Sequence, residues 1–198
     1  MDTAAVVIVG VWLGLGVFGR MALQRLRTGS WGLRLPTAGE LAGRLGQLLA
    51  TVGMIVLGSG VVISTLRPLG HLRVAPTLGG IALGVALAGL LGMLAAQLMM
   101  GNAWRIGVDQ DERTALVTGG PFGSVRNPIF TTMLTTALGL TVVIPSAITI
   151  VGLVMSMLGT ELIVRRVEEP YLLATHGDAF RSNAGRVGRF LPALGRLP

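Results

Sequence analysis

Five apolar stretches constrain this chain more than any other feature. They cover residues 3–23, 45–66, 77–100, 128–144 and 146–164. As helices the first three are long enough to cross a bilayer, and the last two just reach. Inside hydrocarbon every backbone N–H and C=O must find a partner, and a helix satisfies its own. The expected fold is therefore all-α: a polytopic transmembrane bundle of about five spans with a polar, helical C-terminal tail. Composition agrees, with 52% hydrophobic and only 13% charged residues, against roughly a quarter charged in soluble domains. The first stretch reads as a retained span and not as a signal peptide. Asp2 stands where a basic flank belongs, and no small-residue cleavage site follows.

The charged residues lie between the apolar runs. The net charge is +7 and all 16 basic side chains are Arg. With the N-terminus outside, fourteen arginines fall on the inner side, and Arg67 and Arg73 alone stay outside. That asymmetry is the mark of a cytoplasmic face, so the C-terminus and the longer polar connectors are expected there. Arginines placed this way are topology determinants, so no nucleic-acid partner is expected. The absence of Cys excludes disulfides, thiolate metal sites and cysteine nucleophiles, and no metal site is expected from the remaining residues. Membrane lipids are the expected surroundings; the sequence leaves the oligomeric state open.

Local patterns refine the spans. Gly10 with Gly14, and Gly80, Gly84, Ala88 and Gly92, form small-residue stripes suited to close helix packing in lipid. Thr37 with Glu40 has the spacing of a capping box ahead of the second span. His71 reads as a loop residue, and Gln97 as a polar side chain inside a span.

Two polar segments carry the candidate chemistry. The first is residues 119–128, GGPFGSVRNP. Asn127 and Pro128 suit the N-cap and first position of the fourth span. A helix start beside Arg126, with Gly119 and Gly120 letting backbone come close, also suits an anion. The second is residues 165–171, RRVEEPY. Glu161, Arg165 and Glu168 share one helical face, and Glu161 precedes Arg165 in the favourable order for an ion pair. Glu161 lies within an apolar run, where a charge is costly and commonly functional. Adjacent Glu168 and Glu169 suit a cationic group. The two segments are expected to meet at one membrane face. A charged vestibule of that kind also serves a membrane transport or binding protein, or a scaffold whose basic tail binds anionic lipid.

The wider pattern, LVTGGPFGSVRNPIF, then a hairpin, then RRVEEPYLLATHGDAF and RVGRFLP, resembles the isoprenylcysteine carboxyl methyltransferase and phospholipid methyltransferase group of membrane enzymes. WRIGVD upstream resembles the W-R-x-G that often precedes the first segment, so the likeness covers about residues 101–192. It implies a three-span scaffold over residues 1–100 and a catalytic region over 101–198. It also implies S-adenosyl-L-methionine as cofactor and a lipophilic small-molecule or lipid-linked methyl acceptor, including a carboxylate. Carried over, Arg126, Asn127 and Pro128 occupy the R-H-P positions, with Asn in place of His. Glu168 and Glu169 fall in the R-x-E-E element, His176 at the F-G position, and Arg186 and Arg189 near the end. Gly119, Gly120, Arg126, Asn127, Pro128, Glu168, Glu169 and His176 are then the expected cofactor contacts, with Arg165 and Glu168 as catalytic groups.

Overall fold

The computed structural model describes residues 1–33, 41–67, 72–107 and 115–197. Thr37, Glu40, His71 and the acidic cluster Asp109, Asp111 and Glu112 lie outside the described residues. The fold is all-helical, as expected. Helix α1 is Asp2–Thr28, with a π-helical segment over Trp12–Gly19. Then come α2 (Leu41–Leu66), α3 (Pro76–Met100), α4 (Pro128–Val143) and α5 (Ala147–Ile163). A π-helical stretch, Val164–Glu168, joins α5 to α6 (Glu169–Arg186) without a break. Four of these rods are long and apolar enough to cross a membrane, and α4 is a shorter apolar helix.

The helix ends follow from local chemistry. Gly29 stops α1 in the left-handed conformation that glycine takes at least cost. Pro76 and Pro128 occupy first turns, where the missing N–H is no loss. Ser146 starts α5 through a capping box, accepting from the Thr149 N–H while the Thr149 hydroxyl accepts from the Ser146 N–H. The usual sequence signature does not flag that box, because Thr, not Glu or Gln, stands at its third position.

Backbone contact between small residues holds the bundle together. Helix α2 runs antiparallel along α5, with Gly46 facing Gly159, Gly53 facing Gly152 and Ser156, and Gly60 facing Ile148 and Thr149. A Cβ on Gly159 would collide with the Ala50 nitrogen, and one on Gly152 would lie 2.5 Å from the Leu57 nitrogen. Helix α3 meets α4 in the same way, through Ala82 and Ala86 at Gly139 and through Gly89 and Gly92 at Thr132 and Thr136. In lipid, where no hydrophobic force drives helices together, such closeness supplies the dispersion contacts that do.

Of the small-residue stripe expected on α3, only Gly92 packs. Gly80 and Gly84 meet nothing within 4 Å, nor do Gly10 and Gly14 on α1. The contact face of α3 is Ala82, Ala86 and Gly89, rotated away from that stripe. Apolar side chains such as Phe18, Leu48, Ile55, Leu91 and Leu158 point outward, as lipid contact requires.

The α4–α5 hairpin reaches the far end of the bundle. Its turn docks on the α2–α3 turn, with the Leu72 N–H donating to the Pro145 carbonyl at 3.0 Å. Helix α4 has 16 residues, about 24 Å at 1.5 Å per residue, against 25 residues in α3. The loop before α4 therefore enters below the end of α3. Gly120, at φ +59°, packs under the Met99 side chain.

Candidate functional site

The segments around Arg126 and Glu169 meet at the end of the bundle opposite the α4–α5 turn. The first joint is backbone to backbone. The Arg126 N–H donates to the Gly188 carbonyl at 2.8 Å, and the Asn127 N–H to the Arg189 carbonyl at 3.2 Å. The Thr131 hydroxyl donates to the Phe190 carbonyl at 2.9 Å. The tail after α6 is thereby stitched to the loop before α4.

The second joint is a buried three-residue clasp. Arg126 Nη2 lies 2.6 Å from Glu169 Oε1. Arg189 grips the same carboxylate with two bonds, Nε to Oε1 at 2.8 Å and Nη2 to Oε2 at 2.7 Å. This two-pronged geometry is the one in which Arg holds carboxylates best. Arg126 also donates to the Ala184, Val187 and Gly195 carbonyls, at 3.0, 2.5 and 2.8 Å. Burial works to raise the Glu169 pKa, but hydrogen bonds and charge from Arg189 and Arg126 outweigh it and hold the carboxyl below its usual range. The Arg189 guanidinium is pushed up by its bonds to Glu169, against its own burial.

The expected cofactor contacts thus separate into two sets. Arg126 is engaged with Glu169 and with tail carbonyls, and Glu169 with Arg126 and Arg189. Asn127 precedes the first turn of α4 but makes no side-chain cap. Its Nδ2 donates instead to the Arg189 carbonyl at 3.2 Å. The first-turn amides of Ile129 and Phe130 are consequently left without a capping side chain, next to buried Pro128.

Glu168 is the other carboxylate of the pair, half-buried on the π-helical joint beyond the apolar part of α5. Burial pushes its pKa up to about 7; Arg105 nearby pulls it down and neighbouring Glu169 pushes it up. The Arg105 guanidinium stands 5.4 Å from the centre of the Tyr171 ring, within cation–π range. Arg105 and Tyr171 were not among the expected site residues. The W-R-x-G likeness was the signal for the first; the second ends the RRVEEPY segment but had no role assigned to it.

His176 sits just before the kink in α6 at Gly177 (φ +51°), and its Nε2 is buried without a hydrogen-bond partner. Gly119 is open, with no atom within 4 Å of where a side chain would begin, and Gly120 supplies the positive φ of the loop. Arg165 is exposed and paired with Glu161, as their i, i+4 spacing predicts. That pair sits one turn from the end of the apolar helix. Arg186 is exposed on the tail, whereas Arg189 is buried in the clasp. Among the described residues no cluster of His, Cys, Asp or Glu suits a metal.

The residues left over fit a zwitterionic, cationic cofactor such as the methyl donor named above. Glu168 offers an acceptor for an ammonium group. The uncapped start of α4 offers N–H donors for a carboxylate. The unsatisfied His176 Nε2 offers one further polar contact.

Comparison with known proteins gives a family and a fold. The family model described as phospholipid methyltransferase matches residues 80–179. Among solved structures, the chain is similar to a eukaryotic intramembrane Ras methyltransferase, isoprenylcysteine carboxyl methyltransferase, solved without a monobody. The TM-score is 0.61 at 16% sequence identity, over 96% of this chain and 66% of that one. This chain therefore spans just under two thirds of that protein, and the likeness is one of fold. No curated protein sequence matches.

Proposed function

The chain belongs to the phospholipid methyltransferase family, and from that premise we propose that it is an integral-membrane methyltransferase that takes S-adenosyl-L-methionine and methylates a lipophilic or amphipathic acceptor. The observation that carries this reading is the division of labour between adjacent carboxylates. Glu169 is held by two arginines, which leaves Glu168, beside Arg105, to receive a cationic group.

The cofactor supplies an electrophilic methyl group on a sulfonium. The chain's part is chiefly to bind and align, since a methyl transfer needs donor and acceptor in line. Glu168 takes the amino group, and the start of α4 with Gly119 and Gly120 takes the carboxylate. His176, with its unpartnered Nε2, is the further polar group that α6 would supply. The Arg126–Glu169–Arg189 clasp holds these elements at fixed separation. Arg165, exposed at the end of α5, is the guanidinium proposed to orient an acidic acceptor. A carboxylate acceptor needs no general base. For an amine or thiol, Glu168 has a pKa close to the working pH and is suited to take the proton.

The arginine asymmetry supports a cytoplasmic site, with the C-terminus inside and the N-terminus outside. Titration calorimetry of the purified protein with S-adenosyl-L-methionine tests the reading. Saturable binding, lost in Glu168→Ala, is expected; wild-type protein that binds none would overturn it. Incubation of membranes with methyl-labelled cofactor then identifies the acceptor.

A further inference from the structure

By sequence α1 belongs to the scaffold, but its packing ties it to the site. Two polar contacts link α1 to α3, and a third reaches the residue just past its end. Trp12 Nε1 donates to Met93 Sδ at 3.2 Å, Gln97 Nε2 to the Gly16 carbonyl at 3.0 Å, and Arg20 Nη2 to the Gly101 carbonyl at 2.5 Å. A fourth follows on the connector, where Gln24 Nε2 donates to the Asn102 carbonyl at 2.8 Å.

On α1 these residues recur every four positions: 12, 16, 20 and 24. In an α-helix each such step drifts by about 40°, so residues three steps apart would not stay on one face. The π-helical segment Trp12–Gly19 has wider turns, which offset this drift over the first two steps.

The lower rungs fasten a particular object. Arg20 is 3% exposed, donates to Gln24 Oε1 at 3.0 Å, and lies 4.6 Å over the Trp104 ring. Among the described residues no carboxylate pairs with it; one backbone carbonyl, a side-chain amide and an aromatic face hold this buried cation. Trp104 is itself buried, and the Ile106 N–H donates to the Gly32 carbonyl at 2.7 Å. The residue between Trp104 and Ile106 is Arg105, which stands against Tyr171 and interacts with Glu168.

We propose that Arg20 and Gln24 are positioning residues: they clamp the connector through Gly101, Asn102 and Trp104, and so hold Arg105 against Tyr171, one helical turn beyond Glu168. The proposal rests on the reading of Glu168 as a cofactor ligand. It gives the first span, far away in sequence, a direct part in cofactor affinity.

The test uses full-length protein in which Trp12→Phe and Trp31→Phe leave Trp104 as the single tryptophan. In this background, Arg20→Ala is expected to red-shift and quench Trp104 emission with no ligand added. Cofactor affinity should weaken about tenfold, the scale of coupling carried by packed side chains. Arg20→Lys, which keeps the charge but loses the planar stack and one of the donors, should fall between. Gln24→Ala should weaken affinity in the same direction. The KM for cofactor should rise more than kcat falls.

Should the parent protein bind no cofactor, the proposed function fails and the emission shift still reports the clamp. If the parent binds but folded Arg20→Ala and Gln24→Ala bind equally well, this proposal is overturned and the seam is structural only. If Arg20→Ala does not fold, Gln24→Ala and Arg20→Lys decide between the same two outcomes.

Discussion

Replacing Glu169 with Gln separates the clasp from the proposed cofactor site. Glu169 is 8% exposed, and its carboxylate accepts three charge-assisted bonds, one from Arg126 and two from Arg189. Gln keeps the shape but removes the charge, leaving two buried guanidinium groups facing a neutral amide. Breaking a buried pair by removing one partner costs about 3–5 kcal/mol. For a chain of this size that lowers the melting temperature by about 6–20 °C. The assay is thermal unfolding of detergent-solubilised protein without cofactor. Glu168→Gln, one residue away and outside the clasp, should leave that melting temperature within a few degrees while removing cofactor binding. The reasoning is refuted if Glu169→Gln melts with the wild type, or if both substitutions lower cofactor-free stability equally. The pH dependence has a defined sign. The folded-state pKa of Glu169 is held below its unfolded value. The clasp's stabilisation is therefore complete above the usual Glu pKa of about 4.3, and it is lost as pH falls through the lower folded value.

Other perturbations have equally definite outcomes. Because the Glu168 pKa stands at about 7, the carboxylate form grows as pH rises through that value. Cofactor affinity should rise between pH 6 and 8, and Glu168→Gln should flatten the profile. Gly159→Val drives a side chain into the α2 backbone and should cost at least about 1–3 kcal/mol. Gly84→Val, which meets only open space, should be near neutral by the same thermal assay. Reporter tags at the two termini should read opposite compartments, with the C-terminus cytoplasmic; tags reading one compartment would refute the five-crossing topology.

Much of this protein was legible in the sequence because membrane folding rests on local rules. Helix positions followed from apolar run length, since each span satisfies its own backbone. Pro76 and Pro128 mark helix starts by missing an N–H that would have no partner there. The Glu161–Arg165 pair followed from helical spacing alone. The convergence of the segments holding Arg126 and Glu169 was likewise foreseeable, because an apolar hairpin returns the chain to the side it left.

Tertiary structure decided how those residues are used. Arg126 and Glu169 are 43 positions apart, and Glu169 and Arg189 are 20 apart. No periodicity could say that they would bond to one another. Asn127 kept the place of an N-cap, but the tail offered its amide a carbonyl and so left the α4 amides open. The packing stripe of α3 turned out to be Ala82, Ala86 and Gly89, because only the partner helix determines which face is covered. Arg20 looked like a topology charge in sequence, yet in the fold it is buried against Trp104. Run length and helical spacing are local properties and can be read from one segment at a time. Desolvation and partner choice depend on what lies across the interface, and that exists only once the helices have packed.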